Sequence, residues 1–400
     1  MASLYERDPR RQNVMRMRLP PLPTWLAGDR RRQAAAGGAA AAILIGLVLA
    51  VLAMAGAFSG GSPKAALDAA PSPTPTPTVA PSPTPPPTEP TLLDGVLVYP
   101  EQLPEIQARL PLAIMFDNFV QARPQVGLEK ADLVFEVVAE GGITRFLGVF
   151  WRGEPGQVVP VRSARVYYLD WAAELDAVYV HWGQAKSRGA ADVPSAIERL
   201  GLRHLDAFFF ARPYFFRAPD RVGPHNGIAD TDALWELAAE RGWTGPPQIE
   251  AWQFKDDQPR RAQAEGAAVA PGIDLGFGGR LGTDYAVRWE YDAKSNAYLR
   301  SQGGAPHKDG GSGNQLAAKN VAVMVTTFRS ARDGTSHLLY DTVGGGEAVV
   351  FQDGVAVPGT WSRPDIASRT RFYDADGNEI AFNRGQTWVE VLAAGDPLVY

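Results

Sequence analysis

The residues that could do chemistry gather between Phe116 and Arg165. Arg123, Arg145, Arg162 and Arg165 place four guanidinium groups beside short apolar runs, and Asp117, Asp132, Glu136 and Glu140 lie in the same stretch. A guanidinium fork holds a carboxylate or a phosphate through two parallel hydrogen bonds. Two arrangements follow. In one, the four acids neutralise the four arginines, since a buried charge has to be paired. In the other, one or two arginines stay free and face a cleft, where they hold an anionic group. The candidate ligand-binding residues are Arg123, Glu140, Arg145, Arg162, Ser163, Arg165 and His225. Glycine carries no side chain, so Glu140-Gly141-Gly142 lets backbone approach a ligand closely. The expectation is one pocket formed by the loops flanking the 133–151 hairpin together with Arg162 and Arg165. Arg145 is expected to close an ion pair with Glu136 or Glu140, depending on strand register. Arg162 or Arg165, which follow a proline at a strand end, would then meet the ligand.

Five histidines are present: His181, His204, His225, His307 and His337. None falls in HExxH or His-x-His, so no metal site is expected, and no motif requires a cofactor. His181 ends a predicted strand, and His225 and His307 sit in Gly/Pro-rich loops. A histidine so placed can serve as a general base, although it is more often a hydrogen-bonded structural residue. The catalytic candidates are Glu140, His181 and His225. Ser163 would need a histidine from elsewhere to become a nucleophile, and neither GxSxG nor SxxK accompanies it. Three further patterns point away from chemistry. Asp374-Ala375-Asp376-Gly377-Asn378 begins like a calcium loop, but Gly385 stands where the bidentate glutamate belongs. Gly344-Gly345-Gly346 lacks the Gly-Lys-Ser/Thr of a phosphate loop. Phe208-Phe209-Phe210 and Tyr214-Phe215-Phe216 could stack on sugar rings, and are expected in the core.

The elements that must carry these residues can be read from pattern. Leu112–Phe116, Leu133–Val138, Ile143–Trp151 and Val178–His181 are predicted strands. Their near-continuous apolar character suggests a sheet covered on both faces. The glycines between the second and third suggest a hairpin. Helices are predicted over Ala164–Leu175, Val193–Leu200 and Thr231–Arg241, the last capped by Asp230 or Thr231 and stopped at Gly242. Residues 92–247 are thus expected to form a mixed α/β domain. After Pro246-Pro247 and the glycine-rich 272–282 region the texture becomes strand-like. Tyr285–Trp289, Val321–Phe328, Ala348–Phe351, Val355–Trp361 and Thr387–Leu392 are predicted strands, with turns at Asp353-Gly354 and Asp376-Gly377. Residues 248–400 are expected to form a mostly antiparallel β domain.

The chain in front of these domains sets the compartment. Residues 1–33 hold eight arginines and three acids within a chain of net charge -5, which leaves the remainder near -10. An acidic body is a poor general ligand for nucleic acid. Residues 34–58 carry no charge; at ~1.5 Å per residue they make ~37 Å of helix, enough to cross a ~30 Å hydrocarbon core. The arginines before this segment favour a cytoplasmic N-terminus and an external C-terminus. A retained signal-anchor is expected, with cleavage after the small residues near Ala55 or Ala57 as the rival. Residues 59–91 form a proline-, threonine- and serine-rich spacer, since proline cannot supply ladder hydrogen bonds. Cysteine is absent, which excludes disulfides, a cysteine nucleophile and a lipid-modified cysteine in this sequence.

Several blocks taken together resemble the YerB-like family. In the first half they are Ala122-Arg123-Pro124-Gln125, Lys130 to Glu136, Glu140 to Phe146, Pro160 to Arg165 and Pro224-His225-Asn226. In the second half they are Tyr298-Leu299-Arg300, Pro306-His307, Asn320-Val321, Gly359-Thr360-Trp361 and Gly385 to Trp388. The resemblance implies a two-domain, envelope-exposed bacterial protein, often a lipoprotein, whose biochemical role is unassigned. The functional expectation is a membrane-tethered module that holds a cell-wall component or an envelope protein, in the cleft between its domains. The alternative is an envelope hydrolase or transferase acting on a wall glycan or peptide. The residues do not decide whether it is an enzyme.

Overall fold

The computed structural model describes residues 87–259 and 269–400. The expected basic tail, the apolar span at 34–58 and the spacer as far as residue 86 lie outside them. No helix among the described residues is long and apolar enough to cross a membrane. The folded body begins earlier than its expected start at Leu92. Glu89–Pro90 pairs with Leu97–Val98, and the Thr91 hydroxyl donates to the buried Asp94 carboxylate.

The first half supplies β1 (Leu112–Asp117), β2 (Leu133–Glu140), β3 (Ile143–Phe150), α1 (Val166–Glu174), β4 (Val178–His181), α2 (Val193–Leu200), β5 (His204–Asp206) and α3 (Thr231–Glu240). The second half adds β6 (Gly272–Leu275), β7 (Val287–Asp292), β8 (Ala297–Gln302), β9 (Asn320–Thr326), β10 (Gly344–Gln352), β11 (Val355–Arg363), β12 (Arg371–Asp374) and β13 (Thr387–Ala393). The chain is mostly strand with few helices. The caps follow the sequence: Asp192 accepts from Ser195 N at 3.1 Å at the head of α2, and Asp230 accepts from Ala233 N at 3.2 Å at the head of α3.

The halves do not build separate sheets alone. One ten-stranded sheet runs β12-β11-β10-β9-β13-β2-β3-β1-β4-β5, and the seam between halves is the parallel pairing of β13 with β2. This sheet explains why its strands read as continuous apolar runs: both faces are covered. On one face α1 and α2 pack Tyr167, Trp171, Val193 and Ile197 against Met115, Phe135, Val137 and Leu147. On the other, Leu234 and Trp235 of α3 and the second sheet around β6–β8 pack Ile273, Trp289 and Tyr298 against Ile114, Phe116, Val134 and Phe146. Four of these strands, β5, β6, β8 and β12, escape the sequence reading. β6 lies inside the glycine-rich region, and β8 is held by pairing with β7 rather than by an apolar run of its own.

The Asp376-Gly377 segment is a turn, as expected. The Asp374 carboxylate accepts from the backbone N–H of Asp376 and Asn378 at 3.0 and 2.8 Å, which occupies the oxygen a cation would want. The aromatic runs divide. Phe215 is buried, but Phe208 and Phe209 stand 70% and 75% exposed, because they lie in the loop after β5, beyond the sheet edge.

Candidate functional site

A β-bulge decides which carboxylate faces which neighbour. Side chains alternate across a strand, so Glu136 and Glu140, four apart in β2, would share a face in a regular ladder. The register shifts between Val138 and Glu140, and Glu140 then pairs with Ile143. An extra residue in one strand turns everything after it to the other face. Glu136 therefore meets Thr144 on one side of the sheet, and Glu140 meets Arg145 on the other.

Asp117 pairs with Arg145 across β1 and β3, so it stands on the Glu140 side. There Asp117, Phe119, Glu140, Ile143, Arg145, Arg162, Pro224 and His225 line a pocket of about 300 Å³. Of the sequence candidates, Glu140, Arg145, Arg162 and His225 are thus brought to one place. The pocket lies wholly within the first half and not in a cleft between halves.

Most charges in it are satisfied internally. Glu140 sits between Arg145, at 3.3 Å, and Arg165, whose Nε donates to it directly. Burial alone would raise the Glu140 carboxyl, but the Arg165 hydrogen bond and the two guanidinium charges hold it below the usual glutamate value. It is a fixed anion rather than a proton donor. Arg165 also donates to the Ala164 carbonyl at 2.7 Å, so its fork is engaged. Asp117 takes His225 Nδ1 at 2.6 Å, which fixes Nδ1 as the protonated nitrogen and leaves Nε2 for the pocket. His225 is stacked on Phe119 with ring centroids 5.0 Å apart.

Two donors are left over. Arg145 donates to the Ser163 carbonyl at 3.1 Å, but its buried Nε has no acceptor among the described residues. Arg162 lies 3.2 Å from Asp117 through Nε without hydrogen-bond geometry. Its side chain is 26% exposed, and no described residue accepts from its terminal nitrogens. The Nε atoms are buried, so the donors that a group entering the pocket can reach are the terminal nitrogens of the partly exposed Arg162.

The remaining candidates lie elsewhere. Arg123 donates to Asn118 Oδ1 at 3.1 Å and covers the Tyr285 ring. Ser163 Oγ donates to the Trp182 carbonyl at 3.1 Å, and no histidine addresses it. His181 is fully buried, bonded to the Gly183 carbonyl at 2.9 Å and to His204 at 3.2 Å, so it cannot reach a substrate in the pocket. Sequence reasoning left Asp117 and Phe119 off the site, although Asp117-Asn118 directly follows a predicted strand.

Behind the pocket lies a second polar system. Arg300 is fully buried among Phe146, Trp289 and Trp388, and pairs with Glu136 and His307. Burial and the Arg300 charge push the His307 imidazole well below its usual value. Neutral His307 accepts from Arg300 at Nδ1 and donates from Nε2 to Gln125 Oε1 at 2.8 Å. Gln125 donates in turn to Asn118 Oδ1 at 3.0 Å and to the Asp117 carbonyl at 2.8 Å. Glu390 faces Glu136 across the β13–β2 seam, and burial, then the Glu136 charge, raise its carboxyl well above the usual value. Its Oε2 has no partner unless it carries a proton, which it can donate to Glu136.

Family models match both halves: "Protein of unknown function (DUF3048) N-terminal domain" over residues 99–244, and the C-terminal domain of the same name over 280–389. The chain is 29% identical over 290 residues to "Putative lipoprotein YerB" of Bacillus subtilis (strain 168), covering 72% of this chain and 82% of the relative. The chain belongs to the YerB-like family. The crystal structure of YerB protein from Bacillus subtilis superposes with a TM-score of 0.65 at 25% identity, over 78% of this chain and 99% of that one. The YerB-like fold therefore has two family domains, and the pocket belongs to the first.

A stability prediction separates the pocket arginines. Arg145→Ala removes the Ser163 carbonyl's donor and one of the two partners of Glu140, and should cost about 2 kcal/mol. Arg162→Ala leaves Asp117 paired with His225, and should cost less than ~1 kcal/mol. Urea melts of the two variants measure this, and equal losses would refute the distinction.

Proposed function

We propose that this YerB-like protein is a binding module of the cell envelope, whose pocket holds an anionic group of a wall component or partner protein. The reading is carried by one observation: Arg162 offers terminal nitrogens that no described residue engages, in a pocket whose carboxylates are already matched. A carboxylate or phosphate entering the pocket would pair with them. The loops flanking the β2–β3 hairpin supply the walls, and His225 Nε2 adds a polar contact at the rim. Neither a metal nor a cofactor is part of this reading, and neither is nucleic acid.

The location follows from the sequence and from the relative. A relative named as a lipoprotein supports attachment to a membrane. This chain holds no cysteine, so the apolar 34–58 segment takes the anchoring role as a single-pass helix, with residues 1–33 cytoplasmic and the body outside. The spacer then lifts an α/β domain to Pro247 and a β-rich domain after it away from the bilayer.

The test is binding of digested peptidoglycan to the purified chain in detergent, measured calorimetrically. Arg162→Gln should weaken it at least ~10-fold, since a desolvated charge pair is worth more than ~1.4 kcal/mol. Unchanged affinity would refute the reading. The second reading, an envelope hydrolase or transferase, draws on the Asp117–His225 pair, which orients an imidazole as a general base would need. It requires turnover of the same fragments that His225→Gln abolishes.

A further inference from the structure

A second hollow, of about 600 Å³, lies on the other side of the β2–β3 turn. Glu140 and Ile143 line the first pocket, and Gly141 and Gly142 line the second, so the turn is the wall between them. That wall is low. Both glycines have positive φ, 59° and 78°, and a Cβ on either would meet nothing within 4 Å. The far side of the hollow carries Phe277, Tyr285 and Phe328, with Arg280, Thr283 and Asp284 among its polar groups. Phe328 is 47% exposed, and its ring is held by stacking on Tyr340 at 5.4 Å. Arg123 ties the two hollows together. Its Nε donates to Asn118, next to the first pocket's Asp117, while its guanidinium lies 5.0 Å from the Tyr285 ring.

We propose that the two hollows are one extended site for a glycan segment that bears a carboxylate. The carboxylate sits between Arg145 and Arg162, the chain crosses the glycine turn, and a sugar ring lies on Phe328 and Tyr285. The proposal rests on the anion-binding reading of the first pocket and adds the class of ligand. A pyranose has an apolar C–H face and a rim of hydroxyls that both donate and accept. An open hollow with aromatic faces and an Arg, Thr and Asp nearby matches both properties. A purely apolar side chain would instead favour an enclosed, dry pocket. Arg123 is a positioning residue here, because it orients Tyr285 and does not line either hollow.

The test uses the full chain in detergent and three probes: a peptidoglycan disaccharide-pentapeptide, the free pentapeptide and, as the disaccharide without a carboxylate, the uncharged N-acetylglucosamine disaccharide. The disaccharide-pentapeptide should bind at least ~10-fold more tightly than either part, as linked contacts do. Phe328→Ala should remove that advantage and leave the free pentapeptide's affinity unchanged; a thermal melt matching wild type confirms that the exposed position does not disturb folding. Arg162→Gln should weaken both carboxylate-bearing probes. If Phe328→Ala leaves the ratio of affinities intact, the extended site is refuted while the first pocket stands. If Arg162→Gln changes nothing, or no probe binds wild type, the anion-binding reading falls and the extended site with it.

Discussion

Arg300→Met should destabilise the fold by about 3–5 kcal/mol, the usual cost of removing one partner from a buried ion pair. Arg300 and Glu136 are both fully buried, and they join the two family domains across the core. Methionine can fill the space between Trp289 and Trp388 but supplies no charge. Glu136 would then face Glu390 across the β13–β2 seam with no cation between them, and His307 Nδ1 would lose its donor. Arg300→Lys should fall between the two, because a point charge cannot reach Glu136 and His307 at once. Arg300→Met combined with Glu136→Gln should recover more than half of the loss, since the stranded charge is gone. Urea denaturation of the three variants measures this. A loss below ~1 kcal/mol for Arg300→Met would show that the pair does not hold the domains together.

Acid should destabilise the protein through His181, by about 3 kcal/mol between pH 6.5 and pH 4 at about 1.4 kcal/mol per pH unit. Burial pushes the His181 imidazole down to about 4; the nearby Asp206 carboxylate and the Gly183 carbonyl oppose this, and His204 adds to it. The folded protein therefore holds His181 neutral while the unfolded chain binds a proton below about 6.5. Stability from this group is complete above that pH and is lost as pH falls to the folded value. Other buried groups titrate in the same window, so the measurement is a difference. His181→Asn keeps a donor toward the Gly183 carbonyl and removes the titration. It should be less stable than wild type at pH 7, and the gap should narrow by about 3 kcal/mol on going to pH 4. A constant gap would mean that His181 does not titrate in this way.

Much of this molecule is legible in local pattern. The apolar runs at 112–116, 133–138 and 178–181 became β1, β2 and β4, and Asp230 caps the helix it precedes. The glycine turn at 141–142 gave the hairpin. These features depend on neighbours within a few residues, and period and cap chemistry report them directly. β8 escaped because its position depends on β7 and not on its own composition. Phe208 and Phe209 misled because an aromatic run marks burial only if the fold covers it.

The sequence by itself determined the residue types of the site: an arginine-and-acid stretch next to a glycine turn, with His225 far along the chain. It also put Arg145 within reach of Glu136 or Glu140, and left open which of them it would meet and whether it would face a ligand instead. Only the tertiary structure decided that. The bulge in β2 turns Glu140 to the Arg145 face and leaves Glu136 for Arg300, 164 residues away. The same geometry closes Arg165 onto Glu140 and leaves Arg162 with terminal nitrogens that no described residue engages. Which charges are matched and which remain free depends on strand register and on contacts between distant segments. Register is a property of paired strands, and one chain segment read alone does not contain it.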